Sequence, residues 1–302
     1  MIQTIRQIKY KMYRFAAFYA VAIPASISIL LNQRKEPLFS YKCLGLYLSK
    51  RDFFPFYNQV DLKPKLEFHA DPQFPFLVYN NNKYFYPNSW PREVIMESLN
   101  GVLNEQNIGS PHRYLSPDEI GEGWVIYDVG AAEGLQAKQW LKKARMIVIF
   151  EPDQMQCQCL SKTFESEINE GRVKIVPEGV SDAYKEIKYG KQTILVDSLP
   201  HLVKKYHLPL PNFIKADIEG EEMNLLQGAR DFFKEAPLEV AQITTYHRAK
   251  DGENVSRFFT QYPGKGEFSE GVSMVNRDGL PTVLFTFYHP IIRKCLYTHR
   301  FG

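Results

Sequence analysis

The chain has 302 residues, 44% of them hydrophobic and 24% charged, which is enough apolar material for a full core and an ordinary composition for a globular protein. Thirty-seven Lys and Arg stand against 34 Asp and Glu, and a net charge of +3 is too mild for the concentrated basic face that nucleic-acid binding asks for. Four cysteines (Cys43, Cys157, Cys159, Cys295) form no second pair at metal-ligand spacing, so no zinc pattern exists, and reduced thiols in a cytoplasmic protein are expected.

Taken in chain order, "IRQIKYKMYR" is basic and is followed by 17 apolar or small residues, Phe15 to Leu31. That run is short for a bilayer span, carries Pro24, and lacks a small-residue cleavage site. It reads as a helix packed on the domain or on a partner, with a helix lying on the inner face of a membrane, or a true span, as the alternatives. Residues 1–35 are taken as this basic and apolar helix, and 36–120, rich in Pro, Asn and aromatic residues with poor periodicity, as an accessory substrate or lid region. From 121 to 302, apolar runs alternate with helical patterns. The expected strands are Val125–Val129, Met146–Phe150, Val173–Val176, Phe213–Ala216 and Leu238–Thr245, with a further strand at Pro281–His289. Helices are expected over Leu135–Lys143 and Gln154–Glu167, in the second half of "TILVDSLPHLVKKY", and over "EEMNLLQGARDFFK". Strands alternating with helices give an α/β fold with a mostly parallel sheet covered on both faces, and ligands of such sheets sit beyond the carboxyl ends of the strands.

Those strand ends carry the chemistry. After the first come Asp128, Gly130, Glu133 and Gly134; after the second, Glu151; after the third, Glu178, Gly179, Ser181 and Asp182; after the fourth, Asp217, Glu219, Gly220 and Glu221. A glycine at 130 lets a ligand approach the backbone, and Gly134 lets the next helix begin close to the strand. Glu151, about 20 residues on, stands where an acid accepts both ribose hydroxyls of a nucleoside. The turn G-A-A-E-G lacks the second glycine of a dinucleotide fingerprint, and Glu133 would repel a pyrophosphate. S-Adenosylmethionine carries a sulfonium and an ammonium instead, which suit Asp128, Glu133 and Asp217. An NAD-dependent sugar-modifying enzyme, or a non-catalytic protein retaining the fold, is the alternative; Tyr184 and Lys188 have the spacing of a Tyr-x-x-x-Lys pair but stand outside its expected place.

The stretches "DVGAAEG", "FEPD" and "FIKADIEGEEMNLLQGA" resemble the FkbM-type S-adenosylmethionine-dependent methyltransferases, over roughly residues 85 to 290. The K-x-D-x-E-G-x-E pattern falls on Lys215, Asp217, Glu219, Gly220 and Glu222, with Glu221 also fitting its end. The resemblance implies a Rossmann-like, seven-stranded, mostly parallel class I methyltransferase sheet. It also implies methyl transfer to an oxygen, often on a sugar of a glycan or glycoconjugate, as in polysaccharide biosynthesis. The family's Asn after "DVGA" is Ala132 here. By position, Asp128, Gly130, Ala132, Glu133 and Gly134 cradle the methionine part, Glu151 holds the ribose, Ser181 and Asp182 lie near the adenine, and Asp217 stands beside the sulfonium and the acceptor.

A hydroxyl acceptor needs a base within hydrogen-bond reach. The candidates are His247, Asp217, Glu219 and His112, with Lys215 as an ion-pair partner of the nearby acids. Asp217 and Glu219 offer hard oxygens two residues apart that suit a divalent ion, but two acids alone are a weak metal signal, and no metal site is assigned. His69, His201, His207, His289 and His299 show no ligand spacing.

Overall fold

A computed structural model describes residues 65–108, 110–189, 192–248, 250–269, 273–275 and 291–302. The apolar run at 15–31, the strand expected at 281–289, Cys43 and His289 lie outside the described residues. Among the described residues, no helix is long and apolar enough to cross a membrane.

Strands β1 (Glu67–His69), β2 (Phe76–Tyr79) and β3 (Asn82–Phe85) form a small antiparallel sheet, followed by helix α1 (Arg92–Glu105). Strands β4 (Val125–Val129), β5 (Met146–Phe150) and β6 (Val173–Val176) alternate with helices α2 (Leu135–Trp140), α3 (Gln154–Thr163) and α4 (Glu165–Asn169). A second small sheet holds β7 (Gly179–Ser181), β8 (Lys185–Tyr189) and β9 (Gln192–Ser198), and helix α5 (Leu199–Tyr206) leaves it. Then come β10 (Phe213–Ala216), α6 (Glu222–Gly228), α7 (Phe232–Glu235), β11 (Val240–Thr244), α8 (Asp251–Phe259), β12 (Lys265–Phe268), a ribbon of β13 (Ser273–Val275) with β14 (Ile291–Arg293), and β15 (Leu296–Arg300).

The main sheet has the order β12-β15-β11-β10-β4-β5-β6. Its strands from β6 to β11 are parallel, and β15 runs antiparallel to both β11 and β12. This mixed, mostly parallel seven-stranded sheet is the α/β architecture typical of class I methyltransferases. Alternate residues of each central strand enter opposite cores: Tyr127, Val148 and Ile214 face one, Ile126, Ile149 and Phe213 the other. A strand buried on both faces reads as a continuous apolar run, which is why the four expected strands from β4 to β10 match their observed bounds.

The helices depart from expectation where a side chain or a glycine is needed for packing. The run expected over Gln154–Glu167 breaks at Phe164, which turns into the core with none of its surface exposed. Helix α2 stops at Trp140, whose indole N–H donates to the Leu115 carbonyl at 2.7 Å. The run at 221–234 splits after Gly228, where a Cβ would come within 2.6 Å of Asp182 Cα. Helix α1 falls in the stretch of poor periodicity. It buries Ile95, Leu99 and Leu103 at four-residue spacing, and they share a third core with Leu77, Tyr84, Tyr86 and Leu135.

Candidate functional site at the carboxyl ends of the central strands

Strands β4 and β10 are hydrogen-bonded neighbours, so the turns that follow them meet. Asp217 N–H donates to the Val129 carbonyl at 3.0 Å. Gly130 has φ +82°, and a Cβ there would stand 2.0 Å from the Asp217 carbonyl oxygen. The missing side chain at 130 therefore makes room for the protein's own backbone. Gly134, φ +78°, begins α2 with the Phe164 ring where its Cβ would be. Ala132, exposed between them, takes φ +48°.

Lys215 and Asp128 are both buried and 3.0 Å apart, and Lys215 also donates to the Gly130 carbonyl. One ammonium thus ties the ends of two strands. Burial pushes the Asp128 carboxyl up from its ordinary range, and the charge of Lys215 opposes that. Glu133 is buried, and one of its oxygens accepts from the Ser98 hydroxyl of α1. Its other oxygen has no partner among the described residues. Burial raises the Glu133 carboxyl, with the Ser98 bond working against it. Glu151, at the end of β5, accepts from Asp153 N–H at 2.8 Å, and burial pushes its carboxyl up to about 7.

Asp217 is the hub. Tyr114 donates its hydroxyl to Oδ2 at 2.7 Å, and His112 Nε2 lies 3.3 Å from the same oxygen. Oδ1 faces the Thr244 hydroxyl at 3.3 Å and His247 Nε2 at 3.5 Å. Each histidine is backed by a second acid: His112 Nδ1 lies 3.4 Å from Glu105, and His247 Nδ1 2.8 Å from Glu222. Burial works against charge on His112, but Glu105 and Asp217 outweigh it and raise the imidazole to about 10. Burial likewise opposes charge on His247, and Glu222 with Asp217 lifts it to about 9. Against its own burial, the bond and charge of His112, then His247 and Lys215, hold the Asp217 carboxyl well below the usual carboxylate range. Glu219 is exposed at φ +55° with its carboxylate 3.6 Å from His247 Nε2; burial raises its carboxyl, and His247 opposes the rise.

Asp128, Gly130, Lys215, Asp217, Glu219, His247 and His112 are thus brought together. Ser181 and Asp182 are placed elsewhere: Ser181 donates to Glu221 at 2.8 Å, and Asp182 is exposed and pairs with Lys185 at 2.7 Å. The two glutamates that compete for the end of the K-x-D-x-E-G-x-E pattern separate here. Glu222 is buried and holds His247, Thr244 and the Ile218 N–H, while Glu221 faces Ser181, Asn224 and Arg248. The site also contains Tyr114, Thr244 and Glu105, which sequence reasoning did not single out as site residues.

No family model matches the chain. Over 177 residues it is 25% identical to the hexuronic acid methyltransferase AglP of Haloferax volcanii, covering 53% of this chain and 70% of that protein. The chain is similar to S-adenosylmethionine-dependent methyltransferases of the FkbM type. Among solved structures, methyltransferase FkbM from Methylobacillus flagellatus matches with a TM-score of 0.45 and 21% identity, over 59% of this chain and 44% of that one. The C-terminal domain of precorrin-6Y C5,15-methyltransferase from Rhodobacter capsulatus matches with a TM-score of 0.38 and 12% identity, over 60% of this chain and 82% of that one.

Proposed function

We propose that the chain binds S-adenosylmethionine and transfers its methyl group to a sugar hydroxyl of a glycan or glycoconjugate. The observation that carries this reading is the hub at Asp217, a carboxylate held in its charged form at the end of β10, with the Gly130 turn folded against it and Glu151 two strands away. The donor set fits the cofactor. Glu151 has an oxygen beyond the one engaged by Asp153 N–H for the ribose, and the buried Glu133 oxygen without a partner faces no protein donor. The turn from Gly130 to Gly134 and Asp217 would hold the methionine part. When bound, the cofactor supplies an electrophilic methyl carbon on a sulfonium.

This chain's residues then align the acceptor and receive its proton. Both imidazoles are held protonated at neutral pH, so the proton goes to a carboxylate of the cluster. Asp217 Oδ2 is taken by Tyr114 and His112, and Oδ1 by Thr244 and His247, which leaves the exposed Glu219 carboxylate for the proton. Holding the hydroxyl in line at contact distance supplies much of the acceleration, since the carboxylate cannot also be a strong base. An acidic sugar is the favoured acceptor. The Haloferax relative is named for hexuronic acid, and the residue after His247 borders a cavity of about 300 Å³ whose lining sets Arg248, Lys250, Lys294 and the Phe268 ring against two acids, Asp251 and Glu253. Arginine and lysine suit a carboxylate, and an aromatic face suits a sugar ring.

Calorimetry with S-adenosylmethionine and with NADH tests the first part. Micromolar binding of the methyl donor supports the reading, and binding of NADH alone overturns it. Detection of a methylated product on uronic-acid-containing glycans tests the second, and full turnover by Asp217→Ala would remove Asp217 from the mechanism.

A further inference from the structure

The turn after β4 is built on a backbone shape that its own sequence disfavours. Gly134 N–H donates to the Ala131 carbonyl at 2.9 Å and closes a four-residue turn with Ala132 in second place. Ala132 has φ +48°, a left-handed backbone that favours Gly or Asn in that place and disfavours alanine. What holds it there comes from the loop of the neighbouring strand. Gln156, in the first turn of α3, donates its side-chain N–H to the Ala132 carbonyl at 2.8 Å. Its backbone N–H donates to Asp153 Oδ1 at 2.9 Å, Gln192 donates to the other Asp153 oxygen, and Asp153 N–H donates to Glu151 at 2.8 Å. A chain of hydrogen bonds thus runs from Glu151 at the end of β5, through Asp153 and Gln156, to the turn after β4. The grip falls on the peptide between Ala132 and Glu133. In a planar trans peptide the N–H points opposite to the carbonyl, so holding the Ala132 carbonyl toward α3 also aims the Glu133 N–H away from it. Burial raises the Glu133 carboxyl, and that N–H, after the Ser98 hydroxyl, opposes the rise.

We infer that Gln156 is a positioning residue of the cofactor site: it keeps the turn from Gly130 to Gly134 in the left-handed shape that receives the methionine part, in step with Glu151 at the ribose. The inference rests on the reading of this site as one for S-adenosylmethionine. Gln156 acts through the Ala132 peptide and not by touching the cofactor. A support of this kind holds the groups that do touch a ligand within the narrow tolerance that binding needs. Glutamine at 156 has both the reach and the donor. Glutamate has the same shape but no donor when ionised, and it would turn a negative charge on the Ala132 carbonyl. Asparagine at 132 adopts a left-handed backbone far more readily than alanine, so the turn would then need Gln156 less.

The test is calorimetric titration of S-adenosylmethionine into the full-length protein and its variants, with circular dichroism and the thermal midpoint recorded on each. Gln156→Glu is expected to weaken binding about five- to tenfold, the scale of one lost hydrogen bond. Gln158→Glu puts the same charge on an exposed position of the same helix and is expected to leave affinity unchanged. In an Ala132→Asn background the loss caused by Gln156→Glu is expected to shrink to about twofold or less, because the two positions act on one turn. A bond that merely stabilised the fold would lower the midpoint and leave the affinity of the folded protein unchanged. Equal affinity in wild type and Gln156→Glu, or a loss of the same size in both backgrounds, overturns the inference alone. No binding by wild type up to millimolar S-adenosylmethionine overturns the cofactor reading itself, and the inference with it.

Discussion

Replacing Lys215 by Met tests whether one ammonium holds the two turns together. Lys215 and Asp128 are 4% and 1% exposed and 3.0 Å apart, and no other cation pairs with Asp128 among the described residues. Methionine keeps the length of the side chain and deletes the charge, so Asp128 is left buried and alone. Removing one partner of such a pair costs about 3–5 kcal/mol, against a total stability of about 5–15 kcal/mol. The loss is capped because Asp128 can take a proton: its carboxyl is already raised by burial, with Lys215 opposing, and rises further without it. That gives the effect a signature in pH. In the variant the folded-state pKa of Asp128 lies further above its unfolded value, so variant stability falls as pH rises through that interval. The gap to wild type is therefore widest at neutral pH and narrows toward pH of about 4, at about 1.4 kcal/mol per unit of pKa. Urea denaturation followed by the fluorescence of Trp124 and Trp140 reads it. With a slope of about 3 kcal/mol per molar, the midpoint should drop by about 1–1.7 M at pH 7. Adding Asp128→Asn to Lys215→Met should recover part of the loss. A gap under about 1 kcal/mol, or one that stays constant with pH, would refute the reasoning, because lost packing alone has no such dependence.

Gly130→Ala places a Cβ on the Asp217 carbonyl oxygen in a left-handed backbone and should lower the thermal midpoint, whereas Gly101→Ala, inside α1 with open space around it, should raise stability by about 0.5–1 kcal/mol. Differential scanning calorimetry of the pair checks both, and equal midpoints would remove the close-approach account of Gly130. Glu151 must be ionised to accept two ribose hydroxyls and is raised to about 7, so affinity for S-adenosylmethionine should climb as pH passes through about 7 and lose that climb in Glu151→Gln, as measured by calorimetry across pH. His247 and His112 have folded values of about 9 and about 10, above an unfolded value of about 6.5. Their contribution to stability is full below about 6.5 and is lost as pH rises through 9 to 10, so urea midpoints should fall over that range and fall less steeply in His247→Gln.

The central sheet was legible because β4, β5, β6 and β10 are mostly apolar, with Asp128, Lys174 and Lys215 the charged residues within them, and are followed by Gly130, Glu151, the Glu178 stretch and Asp217. The helix at 92–105 was not, because its buried stripe is narrow, with Glu97, Ser98 and Asn100 between Ile95 and Leu103. Acids near the turns could be counted in the sequence, but their charge states could not. Tyr114 reaches Asp217 across 103 positions and Leu115 reaches Gln242 across 127, and no local pattern carries such pairings. Gly130 shows the limit most sharply. The residue was recognisable as a site of close approach, yet what approaches it is the backbone of Asp217, and only the register of β4 against β10 reveals that.

The composition changes near residue 120, but the packing does not break there. Leu135 at the start of α2 belongs to the same core as Leu99 and Tyr84. Ser98 bonds to Glu133, Gln106 accepts from Gln136 at 2.7 Å, the Leu115 carbonyl accepts from Trp140, and Tyr114 with His112 fixes one oxygen of Asp217. Every one of these contacts runs from the segment 98–115 to the first turn of the sheet, the helix after it, or the hub. The element before the sheet therefore fixes Oδ2 of Asp217, while Thr244 and His247 face Oδ1. A rigid second support behind a reacting carboxylate is what alignment at contact distance demands. Movement of α1 or of the 110–115 segment would turn Asp217 before it disturbed β10 itself, because β10 is held by ladders on both sides and the carboxylate only by Tyr114, Thr244 and the two histidines.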